Sequence, residues 1–385
     1  MVSYPYEWGF SALKAAALLH LDVHLAALGH GMTLSDASAY NVQFMGARPV
    51  FIDHLSFIAY QDGAIWGGYR QFCEQFLYPL LLRAYAGVAH NGLYRGRLEG
   101  VGAEDLLKIL PAWRKWTPKV FVHGVLHAAL AGKGEAIVAG DAEAKTLAQA
   151  KFPKAALARL LEKLRAWIAG LEPRGRKATF WRDYERFKSY SDAETRTKRA
   201  LVHDFARAHA PGMVWDLGCN QGEFSFAALD GGAGAVVGWE FDQDALDGAF
   251  HRAALAGAAF TPLFGDVTNP SPAQGWNQRE RMGWAERGPV DAVLALAVIH
   301  HLIIGRNVPM AAVADYLTSL APRGVVEIPP LGDVQVRRML RLRAAGTQDY
   351  DPDGFVRLVQ ERARILNRRE LSPGGRVLIE YHVGG

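Results

Sequence analysis

The stretch VWDLGCNQGEF, residues 214–224, decides the fold. Val214–Leu217 reads as a short buried strand. Gly218 and Gly222 then permit a tight turn and a close backbone approach to a ligand. A helix follows from about Glu223, with Phe224–Leu229 at its centre. The spacing is Asp-x-Gly-x-x-x-Gly, and Asp216 stands where a dinucleotide fingerprint needs a further glycine. A carboxylate inside the turn repels a pyrophosphate. It suits a ligand with amino and hydroxyl donors and a positive charge.

Outward from this turn, strands and helices alternate. Ala235–Trp239 reads as a second strand and Ala245–Ala256 as a helix closed by Gly257. A third strand ends near Phe264-Gly265-Asp266-Val267. Asp291–Ile299 reads as a long buried strand and Val325–Ile328 as another. Ala363–Leu371 and Arg376–Val383 form a terminal hairpin around Ser372-Pro373-Gly374-Gly375. Such alternation predicts an α/β fold, a mostly parallel sheet covered by helices, with the hairpin antiparallel at one edge. Glu240 closes the second strand, where a carboxylate accepts ribose hydroxyls. Asp266 closes the third and is placed to accept an adenine amino group. Three acids at three successive strand ends fit an adenosyl ligand with an amino-acid tail.

The segments DLGCNQG, GWEFD, FGDV and DAVLALAVIHHL, in that order within residues 197–385, resemble class I S-adenosylmethionine-dependent methyltransferases. The resemblance implies a Rossmann-like seven-stranded sheet and S-adenosyl-L-methionine as cofactor. It implies that Asp216, Gly218 and Gly222 surround the methionine part, that Glu240 holds the ribose, and that Asp266 and Val267 flank the adenine. Asn220, Asp242 and Leu296 join the cofactor set. Asp242 reads equally well as the cap of the helix from Gln243. A non-catalytic nucleoside-binding or interaction protein would use the same turn.

The acceptor side is less legible. His300 and His301 follow the fourth strand, where one imidazole could take a proton near neutral pH; both also read as structural. His300 is the expected base, being nearer the strand end. The Asn/Asp-Pro-Pro-Tyr motif of amino methyltransferases is missing after this strand, which favours a hydroxyl over an amine acceptor. No metal-ligand spacing follows, so no metal is expected. Glu327 reads as an acceptor contact or a surface carboxylate. Trp181, Tyr184, Tyr190 and Lys198 read as a lid over the cofactor, or as an amphipathic helix joining the core. Arg337, Arg338, Arg341 and Arg343 read as a solvated helix face or as a site for phosphate or an acidic substrate.

The chain has 385 residues, 50% apolar and 21% charged, which excludes a disordered or collagen-like chain. Lys plus Arg is 43 against 39 Asp plus Glu, and a net +4 is a weak footprint that does not demand a nucleic acid. The expected partner is a small-molecule or carbohydrate acceptor, with no nucleic acid and no membrane; the oligomeric state is not legible. Two cysteines, Cys73 and Cys219, give no disulfide framework. The opening MVSYPYEWGF lacks a basic segment before an apolar one, and the apolar run Ala15–Leu21 is broken by His20 and closed by Asp22. A cytoplasmic protein is expected.

Texture suggests residues 1–95 as a mixed N-terminal region, 96–173 as a helical connecting or lid region, and 174–385 as the methyltransferase-like domain. Pro153 interrupts or begins a helix in the second. In the first, Asp36, Asn41 and Asp53 resemble the catalytic loop and metal-binding Asp of kinase-like phosphotransferases, where they would be base, metal ligand and metal ligand. Against that stand the missing Gly-rich loop, the missing strand Lys and His54 where a Gly often follows. The abrupt start leaves an upstream segment open. The segments SYPYEWGFSALKAAALLHLD, DASAYNVQF, PVFIDHLSF and WGGYRQFCEQFLYPLLL resemble a bacterial group named after a nodulation protein, which joins such a region to a class I methyltransferase core.

Overall fold

The computed structural model describes residues 1–126, 153–174, 191–341 and 350–384. The chain forms two units, one of Val2–Phe44 with Arg48–Arg176 and one of Lys177–Gly385 with Met1 and Met45–Ala47.

The N-terminal unit is built on the helix Phe10–Gly29. By length and composition this helix could cross a bilayer. Within the unit it is a core helix, burying Leu13, Ala16, Ala17, Leu21 and Leu28. His20, which interrupts the apolar run Ala15–Leu21 in sequence, is itself buried in this helix. Its ring lies 5.6 Å from both Phe72 and Phe76, and burial pushes the imidazole down to about 3, so it packs as a neutral ring. The described residues between 96 and 173 group with this same unit. Helix Lys154–Ala169 starts directly after Pro153 and buries Leu157, Leu161, Leu164 and Ile168, a stripe at helical spacing. That stripe packs along Phe10–Gly29. The strands here are short: β1 (Met32–Leu34) pairs antiparallel with β4 (Phe57–Ala59), and β2 (Val42–Met45) pairs with β3 (Arg48–Phe51).

The C-terminal unit holds one seven-stranded sheet. Its strands are β5 (Met213–Leu217), β6 (Ala235–Glu240), β7 (Phe260–Phe264), β8 (Ala292–Ala295), β9 (Arg323–Ile328), β10 (Arg364–Glu370) and β11 (Val377–His382), in the spatial order β7-β6-β5-β8-β9-β11-β10. β5, β6, β7, β8 and β9 run parallel, and β11 is antiparallel to both neighbours. This is the class I methyltransferase fold. The order of the last two strands follows from composition. β11 carries Leu378, Ile379 and Tyr381, all buried, and lies inside; β10, RILNRRE, is mostly exposed and forms the charged edge. One layer of the core is three indoles: Trp239 lies 4.0 Å from Trp284 and 5.6 Å from Trp215, ring centre to ring centre.

The chain leaves β5 toward β6 on one side, and β8 pairs on the other. The carboxyl ends of β5 and β8 therefore flank the point where strand order reverses, the place where open parallel sheets bind ligands. The fourth strand is shorter than Asp291–Ile299. It ends at Ala295, Ala297 turns at φ +58°, and the backbone is helical from Ile299 to Arg306.

Candidate functional site

The glycine turn is built from alternating left-handed residues: Gly218 at φ +71°, Asn220 at +52° and Gly222 at +81°. Asn tolerates this region better than other non-glycine residues, which is why a three-residue pattern shows only two glycines in the sequence. The Gly218 and Cys219 amides both donate to the Trp239 carbonyl, at 2.8 and 3.1 Å, locking the turn to β6. Gly222 starts the helix Glu223–Asp230, and a Cβ there would lie 2.4 Å from Phe260 Cε1. Gly222→Ala is accordingly expected to cost about 1–3 kcal/mol of stability through the left-handed backbone and this clash. Urea denaturation checks it; a wild-type midpoint would show that the turn relaxes freely.

The acids at the strand ends differ in what they hold. Asp216, 2% exposed, accepts from Ser225 Oγ at 2.6 Å, and burial raises its carboxyl to about 6. Glu240 accepts from the Asn220 amide and from the Asp242 amide, both at 2.8 Å, and burial raises it to about 7. Glu240 thus spans the β5 turn and the β6 exit. Asp242 caps the helix Gln243–Ala256, its Oδ1 accepting from the amides of Asp244 and Ala245 at 2.9 Å. That is the capping alternative of the two. Asp266 Oδ1 accepts from the Thr268 amide and hydroxyl at 2.9 and 2.6 Å, and Arg306 lies 3.6 Å from its other oxygen. Val267 is half-buried beside it and Leu296 is buried just after β8. Phe241, absent from the sequence expectations, is 58% exposed at the β6 exit with its ring 5.8 Å from Phe264. Its signal was the aromatic between Glu240 and Asp242. Ser225 was also missed, because a serine inside a helix carries no signature.

Lys198 and Glu327 are corrected. Lys198 sits in the helix Asp192–His209, is 1% exposed, and is ion-paired to Glu327, which is 0% exposed. Arg376 donates to the other Glu327 oxygen at 2.9 Å and to Asp333 at 2.9 Å. Lys198 is therefore no lid residue, and Glu327 is neither an acceptor contact nor a surface carboxylate. Both of its oxygens are spent on cations inside the fold. The sequence set Lys198 and Glu327 129 positions apart, and only the sheet order brings them together. Trp181, Tyr184 and Tyr190, the other expected lid residues, lie outside the described residues.

The histidines separate in burial. His300 is 1% exposed, its Nδ1 lacks a partner among the described residues, and burial and His301 push it down to about 2. His301 is exposed, with its ring 4.2 Å from that of His300. Partial burial and the Arg376 guanidinium hold it below the ordinary imidazole value. The reason is the short β8: in the helical turn that follows, His300 points inward and His301 outward. The burial of His300 counts against its expected role as the base.

In the N-terminal unit the structure brings Asp36, Asn41 and Asp53 together. Asn41 Nδ2 donates to Asp36 at 3.1 Å and to Ser56 Oγ at 3.4 Å, and Ser56 Oγ donates to Asp53. The Ser56 bond draws the Asp53 carboxyl down. Among the described residues no group of His, Cys, Asp and Glu is arranged to hold a metal ion.

No protein-family model matches the chain. It is 44% identical over 378 residues to the nodulation protein NoeA of Rhizobium meliloti strain 1021, covering 97% of this chain and 78% of that protein. The chain belongs to the NoeA family. Among solved structures it is similar to magnesium protoporphyrin IX methyltransferase (ChlM) of Synechocystis PCC 6803 with bound SAH, at 20% identity and TM-score 0.37, covering 54% of this chain and 98% of that one. It is also similar to an S-adenosylmethionine-dependent methyltransferase of Clostridium acetobutylicum ATCC 824, at 11% identity and TM-score 0.39, covering 55% and 100%. The fold of this NoeA-family chain rests on its strand order and not on these scores.

Proposed function

We propose that the C-terminal unit is an S-adenosylmethionine-dependent methyltransferase acting on a small-molecule or carbohydrate acceptor, with a hydroxyl favoured over an amine. The observation that carries this reading is Glu240, a buried carboxylate fixed by two backbone amides beside the glycine turn. The residues present fit the cofactor. Asp216 and Glu240 supply negative charge and acceptor oxygens where a cationic amino-acid tail and two ribose hydroxyls need them. Asp266 and Val267 serve the adenine end, and Phe241 offers it an aromatic wall. When bound, the cofactor supplies a methyl group on a positively charged sulfur, and the thioether left behind is a good leaving group. The protein's work is then alignment and exclusion of water. His301, neutral at pH 7 and open to solvent, takes the proton of a hydroxyl acceptor.

Glu240→Ala is expected to weaken S-adenosylhomocysteine binding about ten- to a hundredfold, because the lost bonds are worth ~1.5–3 kcal/mol. Unchanged affinity in a folded variant would mean the ribose does not sit there. The raised carboxyls add a pH dependence. Hydroxyl donors need ionised acceptors, so binding is full above about 7 and weakens as pH falls through about 7 for Glu240 and then about 6 for Asp216. Calorimetry across pH 5.5–8.5 should show this and the release of protons on binding. A flat profile would contradict it.

The joined Asp36, Asn41 and Asp53 support a second reading, a kinase-like phosphotransferase. Their oxygens are largely engaged within the cluster, Asp36 Oδ1 by the Ser38 amide and Asp53 Oδ1 by the Leu55 amide, which places it second.

A further inference from the structure

The carboxyl edge of the sheet is divided by charge. Asp216, Glu240 and Asp266 stand on the β5, β6 and β7 side. On the other side, the segment after β9 forms the helix Val334–Arg341, which packs against the turn His301–Gly305, with Met339 against Gly305. Val336 is buried, whereas Arg337, Arg338 and Arg341 are exposed. Among the described residues none of these three guanidiniums has a hydrogen bond or ion pair. Asp333, the acid that opens the segment, is held by Arg376 at 2.9 Å. The helix itself, VQVRRMLR, contains no acid. Ordinary solvated helix faces mix signs, and like charges three and four residues apart repel. An external anion relieves that repulsion, and the arginine fork matches tetrahedral oxyanions.

We propose that the acceptor carries a phosphate or sulfate ester, held by Arg337, Arg338 and Arg341 on the helix that packs against the turn His301–Gly305. This rests on the methyltransferase reading. A cationic donor is then bound on the acidic half of the edge and an anionic acceptor on the basic half. Recognition of the ester selects the acceptor before its hydroxyl is aligned.

The test uses inorganic phosphate and sulfate as probes on the full chain, with ionic strength held constant by chloride. The readout is the His301 ring signal in histidine-labelled protein, assigned with His301→Gln. Either or both oxyanions should move that signal saturably, and the one that does names the ester. The triple variant Arg337→Gln, Arg338→Gln, Arg341→Gln should weaken the response at least tenfold while binding S-adenosylhomocysteine normally. A His301 signal insensitive to both anions, or an equal response in the variant, overturns the proposal. So does arginine-dependent binding to phosphatidylglycerol vesicles with no response to free anion, which assigns the face to a membrane surface. The cofactor reading fails separately, by absence of S-adenosylhomocysteine binding in its own titration.

Discussion

Glu327→Ala is expected to destabilise the C-terminal unit by about 3–5 kcal/mol, the cost of breaking a buried ion pair from one side. For a unit of this size that is a fall of roughly 6–20 °C in its unfolding midpoint. The substitution takes away the carboxylate shared by Lys198 and Arg376, both almost fully buried. Lys198 then faces Phe224, whose ring it overlies at 4.3 Å, without its closest counter-charge. Because the penalty is the stranded charge, Glu327→Met with Lys198→Met should recover part of the loss, whereas the two single variants should not. Thermal unfolding of Glu327→Ala, the double variant and the two single Met variants decides this. A loss below about 1 kcal/mol in Glu327→Ala would show that the pair is solvated.

His301→Gln is expected to cut turnover of a hydroxyl acceptor by ~10²–10⁴ while leaving S-adenosylhomocysteine affinity near normal. Gln keeps the size of the ring roughly and loses the basic nitrogen. His300→Gln, at a buried position, should act on stability and leave the chemical step nearly intact. The sign of the pH effect follows from the depressed imidazole: wild-type turnover is lost as pH falls through the lowered His301 value and is level above it. Rate profiles of both variants across pH 5–9 separate the roles. Undiminished turnover in His301→Gln would remove the histidine from the mechanism and leave alignment as the main effect.

The turn, the acids at the strand ends and the parallel sheet were legible because each is a local signal. Strand-turn-helix patterning needs only a dozen neighbouring residues, and Asp216, Glu240 and Asp266 each sit at the end of their own apolar run. The edge hairpin was legible too, although its inner and outer strands are told apart only by the charges of β10. Partners across the sheet were not legible. Nothing near Lys198 in sequence announces Glu327, and nothing near Glu327 announces Arg376. The choice between His300 and His301 depended on where β8 stops, and an apolar run such as VLALAVI does not show that Ala297 turns. The burial of His20 in helix Phe10–Gly29 was not legible for a related reason: a histidine counts as polar in sequence but packs as a neutral ring once buried.

On the proposed reading, the turn at β5 and the acid at the end of β6 bind an adenosyl cofactor. Calorimetric titration of the whole chain with S-adenosylhomocysteine, and separately with ATP–magnesium, tests it most directly. The expected result is saturable one-site binding of S-adenosylhomocysteine that is weakened about ten- to a hundredfold by Glu240→Ala. Binding of ATP–magnesium alone, abolished by Asp53→Asn and indifferent to Glu240→Ala, would contradict it and move the active site to the N-terminal unit.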